Sequence, residues 1–206
     1  MQKTKSPERL VFFTDAVTAI ALTLLVLPLS ELVPELVAEK GEAIEAFTHN
    51  QWKIYTFLLS FAVIARLWYA HHQIFEHVEA YSGSLMYLNF GWIFSIVLLP
   101  FPTEIVGGFA TSRFAVMFYI GTILANSLFY LAMVLVIHRS PEVRGDSEPI
   151  PGESVLNASL TSTAFLVAFI VGAIWPKYGY WALLLVAVAQ WVTRWLTPRQ
   201  APAPQG

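Results

Sequence analysis

Six stretches of this chain are apolar over the length needed to cross a bilayer, and no other feature constrains its fold as tightly. A hydrocarbon core of about 30 Å takes roughly 20 residues of helix. The segments 10–29, 52–72, 85–101, 114–137, 155–175 and 180–196 meet that length. Composition agrees: 56% of residues are hydrophobic and 13% charged, whereas a soluble domain is about one quarter charged. The fold class expected is an all-α integral membrane protein with six transmembrane helices per subunit, in one domain over 1–196.

The breaks between the segments carry their own punctuation. Pro28 and Pro34 bracket the first exit, Pro100 and Pro102 mark the end of the third span, and "SPEVRGDSEPIPGES" at 140–154 is a polar loop. Proline removes a backbone donor and disfavours helix continuation. The aromatics of "WPKYGYW" at 175–181 suit a membrane interface, and the tail 197–206 reads as disordered. The first segment follows a basic start, yet it is too long for a signal-peptide core and has no small-residue exit, so it is expected to be retained as a span.

Lysine and arginine set the orientation. With the N-terminus inside, the inner segments hold Lys3, Lys5, Arg9, Arg139, Arg144, Arg194 and Arg199, and the outer ones Lys40, Lys53, Arg113 and Lys177. Seven against four favours cytoplasmic termini by the positive-inside rule. The first outer loop carries Glu31, Glu35, Glu39, Glu42 and Glu45 against Lys40, and "PELVAEKGEAIEAF" reads either as a short surface helix or as a solvated charged loop. A net charge of −2 argues against a nucleic-acid partner, and the absence of cysteine excludes disulfides and thiolate metal sites.

Polar residues at membrane depth are costly and are a functional signal by default. On this topology Asp15, Arg66, Trp68, His71, His72 and Asn89 fall at one level, within roughly 10 Å of the inner boundary. Either they form one hydrogen-bonded cluster or each is tolerated by snorkelling, which suits Arg66 and suits the short Asp15 poorly. Arg9 and Asp15, six apart, are not an intrahelical pair. At about 100° per residue, Thr23, Leu24 and Leu27 lie within roughly 60° of Ile20, while Asp15 lies about 140° away. Whatever the Ile20 stripe faces, the aspartate faces something else.

The stretch "RLVFFTD" (9–15) resembles the R-x-x-x-F-S-D signature that opens the first helix of the endolysosomal potassium channel family, with Thr14 in place of serine and Ala16 where glycine is common. "AIALTLLVLPL" is similar to that family's pore helix, and "LWYAHHQIF" and "LNFGWIFSIVLLPFPT" to its second and third helices. The resemblance implies a potassium-preferring cation channel of the cell membrane, a homotetramer whose first helices surround the pore. It implies a constriction at Ile20, Leu24 and Leu27 with Thr23 as a polar layer. Arg9, Phe13, Thr14, Asp15, Arg66, Trp68, His71, His72 and Asn89 would anchor the pore helix. Potassium is the permeant ion, and neither a cofactor nor a structural metal is expected. No "TVGYG"-like stretch supplies a carbonyl filter, so gating is expected from apolar rings that empty of water.

Two rival readings belong to other classes. A proton-coupled carrier would use Asp15 and His71 or His72 as a relay, although no paired broken helices of the repeat-built kind are evident. A metal-dependent membrane enzyme would draw on "HHQIFEH", where His72 and Glu76 are four apart and His77 is near, but the spacing is not that of a hydrolase. The chain is therefore not expected to be an enzyme. The run Ala164, Ala168, Gly172 is a small-xxx-small pattern suited to close helix approach.

Overall fold

The computed structural model describes residues 6–109 and 112–176, and in that range the chain is helical with short connections. In chain order the helices are α1 (Glu8–Leu24), α2 (Leu27–Ala38), α3 (Glu45–Thr48), α4 (Gln51–Phe75), α5 (Gly83–Leu98), α6 (Pro100–Gly108), α7 (Arg113–Arg139), α8 (Pro141–Arg144) and α9 (Gly152–Ile174). Among the described residues five helical stretches are long and apolar enough to cross a membrane: Glu8–Ala38, Gln51–Phe75, Gly83–Gly108, Arg113–Arg139 and Gly152–Ile174. The expected sixth span, 180–196, and the tail lie outside the described residues.

The prolines act differently from their sequence reading. Pro28 does not end the first helix. The chain loosens at Leu25–Val26, where the Val26 amide reaches back three residues to Thr23 O at 3.3 Å, and Pro28 then sits in the first turn of α2, where its missing N–H is harmless. Pro34 lies inside α2. Pro100 likewise opens α6 directly after a joint at Leu99, so the third span continues to Gly108. The segment read as a possible surface helix is split: Pro34–Ala38 completes α2, Lys40 turns the chain with φ 57°, and Glu45–Phe47 falls in the short α3.

Every long helix needs internal satisfaction of its backbone in lipid, and side-chain contacts then set how the helices pack. α7 lies between α5 and α9, α1 rests on α4 and α5, and α4 packs on α6. At Gly91 α5 approaches α7 closely, since a Cβ there would run into the Phe129 ring. The Ser162 hydroxyl on α9 donates to Ser127 O on α7 at 3.1 Å, and Ala168 and Gly172 lie on the buried face of α9. At one end of the bundle Trp52 Nε1 donates to Val106 O at 3.0 Å. At the other, the Glu79 and Ala80 amides donate to Val143 O, tying the α4–α5 loop to α8.

Candidate conduction helix and its anchor

α1 has two faces set by its residue spacing. Leu10, Thr14, Thr18, Ala21 and the following Leu25 are buried, at steps of four, four, three and four that keep them on one side of a helix. The threonines are compatible with lipid depth because their hydroxyls bond to their own helix: Thr14 Oγ1 donates to Leu10 O and Thr18 Oγ1 to Thr14 O, each at 2.8 Å. The other face is left bare in the single chain. Ile20 is 59% exposed, Leu24 39% and Leu27 52%. Thr23 is exposed beside them, its hydroxyl donating to Ile20 O at 2.7 Å, which leaves the oxygen free to accept.

The buried face is held by two separate chains of polar contacts. In the first, Asn89 from α5 donates Nδ2–H to Thr14 Oγ1 at 2.9 Å and accepts at Oδ1, 2.6 Å from His71 Nε2 of α4. The amide orientation decides the tautomer: with Oδ1 the acceptor, His71 carries its proton on Nε2. All three side chains are fully buried. The imidazole is held against Phe75 and Trp92, with ring centroids 4.3 Å from each. His71 Nδ1 has no hydrogen-bond partner.

In the second chain Trp68 donates Nε1–H to Asp15 Oδ1 at 2.8 Å. The indole is stacked on His72 at 5.5 Å, and His72 reaches Glu76 at 3.7 Å. The two adjacent histidines thus serve different contacts, His71 the asparagine and His72 the tryptophan. Phe13 meets Phe90 edge-on at 6.1 Å. Arg9 and Arg66 are exposed and join neither chain, and among the described residues neither makes an ion pair. His77, the third group of "HHQIFEH", turns instead to Glu148 O at 3.1 Å.

A further polar layer was not singled out by sequence reasoning. Ser60 Oγ lies 3.2 Å from the Tyr119 hydroxyl and 2.9 Å from Thr103 Oγ1, joining α4, α7 and α6. Asn126 donates to Ser95 Oγ at 2.7 Å across α7 and α5. The signal was an asparagine and a tyrosine inside the apolar fourth span; serine and threonine gave none, because they are common in membrane helices, where they can bond to their own backbone.

Comparison with known proteins falls on this same region. The model of the family "Endosomal/lysosomal potassium channel TMEM175" matches residues 9–100, which contain the whole of the exposed stripe and both anchoring chains. A potassium channel of Streptomyces collinus is 34% identical over 99 residues, 48% of this chain and 46% of that one. A potassium channel of Chamaesiphon minutus is 32% identical over 126 residues, 59% of this chain and 61% of that one. The zebrafish endosomal/lysosomal proton channel TMEM175 is 24% identical over 143 residues, 69% of this chain and 27% of that one. The matches therefore span about half the length of the bacterial relatives and about a quarter of the zebrafish protein.

Proposed function

Since the model of the TMEM175 channel family matches residues 9–100 and bacterial potassium channels are 32–34% identical over the stretches they share with this chain, we propose that the chain is a bacterial member of that family, a potassium-preferring cation channel whose pore is lined by α1. It is a multi-pass protein of the cell membrane. Four copies surround a central axis, each presenting Ile20, Thr23, Leu24 and Leu27, and both termini face the cytoplasm. The observation that carries the reading is the two-faced α1: one side is fixed by Thr14 and Asp15 to α4 and α5, and the other leaves an apolar stripe uncovered.

Rings of isoleucine and leucine gate by dewetting. A narrow apolar ring empties of water and blocks ions, and a modest widening readmits them with part of their hydration shell. Thr23 supplies the one side-chain oxygen in that stripe, where it stands in for water around a passing cation. The acidic residues of α2, Glu31 and Glu35, raise local cation concentration if they surround the mouth.

The relatives named proton channels are channels and not carriers, so they raise proton permeation without favouring a proton-coupled carrier. The geometry argues against a side-chain relay through Asp15, because its contact is an indole N–H, a donor that does not pass protons on. The test is flux in liposomes containing the purified protein. An electrogenic potassium flux exceeding sodium flux, without obligatory proton exchange, is expected; strict one-for-one proton exchange overturns the channel reading.

A further inference from the structure

Away from α1, a groove of about 580 Å³ opens between α4 and α9 with α7 as its floor, within the range of small-molecule sites, about 300–1,000 Å³. Its lining is graded. Leu59, Val63 and Phe165 line the part toward the α4 start, and polar groups line the part toward the α4–α5 loop. Two of those groups lack partners. Arg66 makes no ion pair among the described residues although it lies well inside a span, and Asn157 has a buried Oδ1 with no hydrogen-bond donor. The other charged or titratable groups facing the groove are Glu76, already met by His72, together with His77, Tyr55 and Tyr130.

We propose that this groove holds an anionic glycerophospholipid of the phosphatidylglycerol type, with its phosphate on Arg66, a headgroup hydroxyl on Asn157 Oδ1 and an acyl chain along the apolar wall. The chemistry at each position selects this occupant. A cation at membrane depth needs an anion, and a guanidinium matches phosphate with two parallel hydrogen bonds. An orphan amide oxygen needs a donor, and the phosphodiester of a lipid offers none at neutral pH, whereas a glycerol headgroup offers two hydroxyls. Arg66 lies nine residues before the end of α4 and Asn157 five after the start of α9, depths of roughly 14 and 8 Å. The hydroxyl partner is thus nearer the membrane surface than the phosphate partner, as the headgroup of a lipid standing in its own leaflet requires.

The test is lipid binding by the full-length purified protein, read by native mass spectrometry and by melting temperature in nanodiscs of phosphatidylcholine with and without phosphatidylglycerol or phosphatidic acid. Phosphatidylglycerol is expected to bind and to raise the melting temperature, and Arg66→Gln to weaken its binding about tenfold, the loss of one charge-assisted hydrogen bond. Arg66→Gln should melt like the parent in phosphatidylcholine alone, which separates lost binding from lost folding, and Arg66→Lys should recover part of the affinity. Asn157→Leu should weaken phosphatidylglycerol and leave phosphatidic acid unchanged. Equal phosphatidylglycerol binding by Arg66→Gln overturns the site. Displacement by inorganic phosphate at millimolar concentration assigns it to a free anion and overturns the lipid. A cross-link between Thr161→Cys and a cysteine placed within 180–196, formed regardless of lipid, gives the groove to the chain's own C-terminal segment and likewise overturns the proposal.

Discussion

Trp68 donates its indole N–H to Asp15 Oδ1 at 2.8 Å, and that bond fixes α1 to α4 on the side away from Ile20, about 140° around the helix. In the proposed channel this carboxylate holds the helix rather than meeting ions, and the Trp68 contact supports that reading. Removing the donor leaves the carboxylate without its hydrogen bond, so Trp68→Phe should destabilise the protein by about 1–3 kcal/mol. Thermal melting of the detergent-solubilised protein checks the magnitude. In the surviving fraction the potassium-to-sodium ratio should be unchanged, and a shift in that ratio with normal melting would place Asp15 in the ion path.

Asn89 is the joint of the other chain, accepting from His71 and donating to Thr14. Asn89→Leu strands the His71 Nε2–H in a fully buried site, at a cost of about 1–3 kcal/mol for an unmet polar group. Thr14→Val should cost less, because Asn89 retains His71. In a double-mutant cycle the His71 and Asn89 changes should couple by about 0.5–3 kcal/mol. Additive effects would mean that their 2.6 Å contact carries no energy of its own.

Gly91 is needed for close approach rather than for backbone freedom. Its added Cβ would meet the Phe129 ring, so Gly91→Ala should destabilise through overpacking by about 1–3 kcal/mol. Phe129→Leu should restore much of that loss by removing the obstructing ring edge. If the double variant melts no higher than Gly91→Ala alone, the α5–α7 contact is not what the glycine serves.

How much of this was legible beforehand differs by residue. The five spans among the described residues were readable because length and apolarity alone set them. Asp15 was separable from the Ile20 stripe because both lie on one helix and a wheel relates them. Which histidine meets which partner was not readable, since His71 and His72 differ by one residue and the choice depends on how α5 and α1 sit against α4. Arg66 was grouped with Asp15 by depth, yet it opens on the α4–α9 groove, because equal depth says nothing about direction around a helix. Pro28 and Pro100 read as ends because proline stops an uninterrupted helix; each instead begins a new one after a one- or two-residue joint.

The proposed assembly encloses the bare face of α1. Other helices also carry exposed apolar side chains, among them Tyr87, Phe94 and Ile170, which suit lipid; in the proposed pore the Ile20 stripe instead surrounds the axis, and further copies enclose it. Mass measurement in detergent should give four times 23.1 kDa. A conducting monomer would remove the shared pore.

Within that pore the tightest ring is expected at Ile20, with Leu24 and Leu27 as further layers toward the outer side. Ile20 is the most exposed of the three in the isolated chain, and its branched side chain stands on the same helix face as the Thr23 hydroxyl that bonds to its carbonyl. Replacing Ile20 by Asn hydrates the ring and lowers a dewetting barrier, so leak current should rise and discrimination between potassium and sodium should fall. Thr23→Ala leaves the ring in place and removes only an oxygen that substitutes for hydration water, so the block should persist while selectivity weakens. Side-by-side flux or single-channel recordings of the two variants separate the roles. Unchanged sodium permeability in Ile20→Asn would take this residue out of the pore, and with it the assignment of the exposed face of α1 to the ion path.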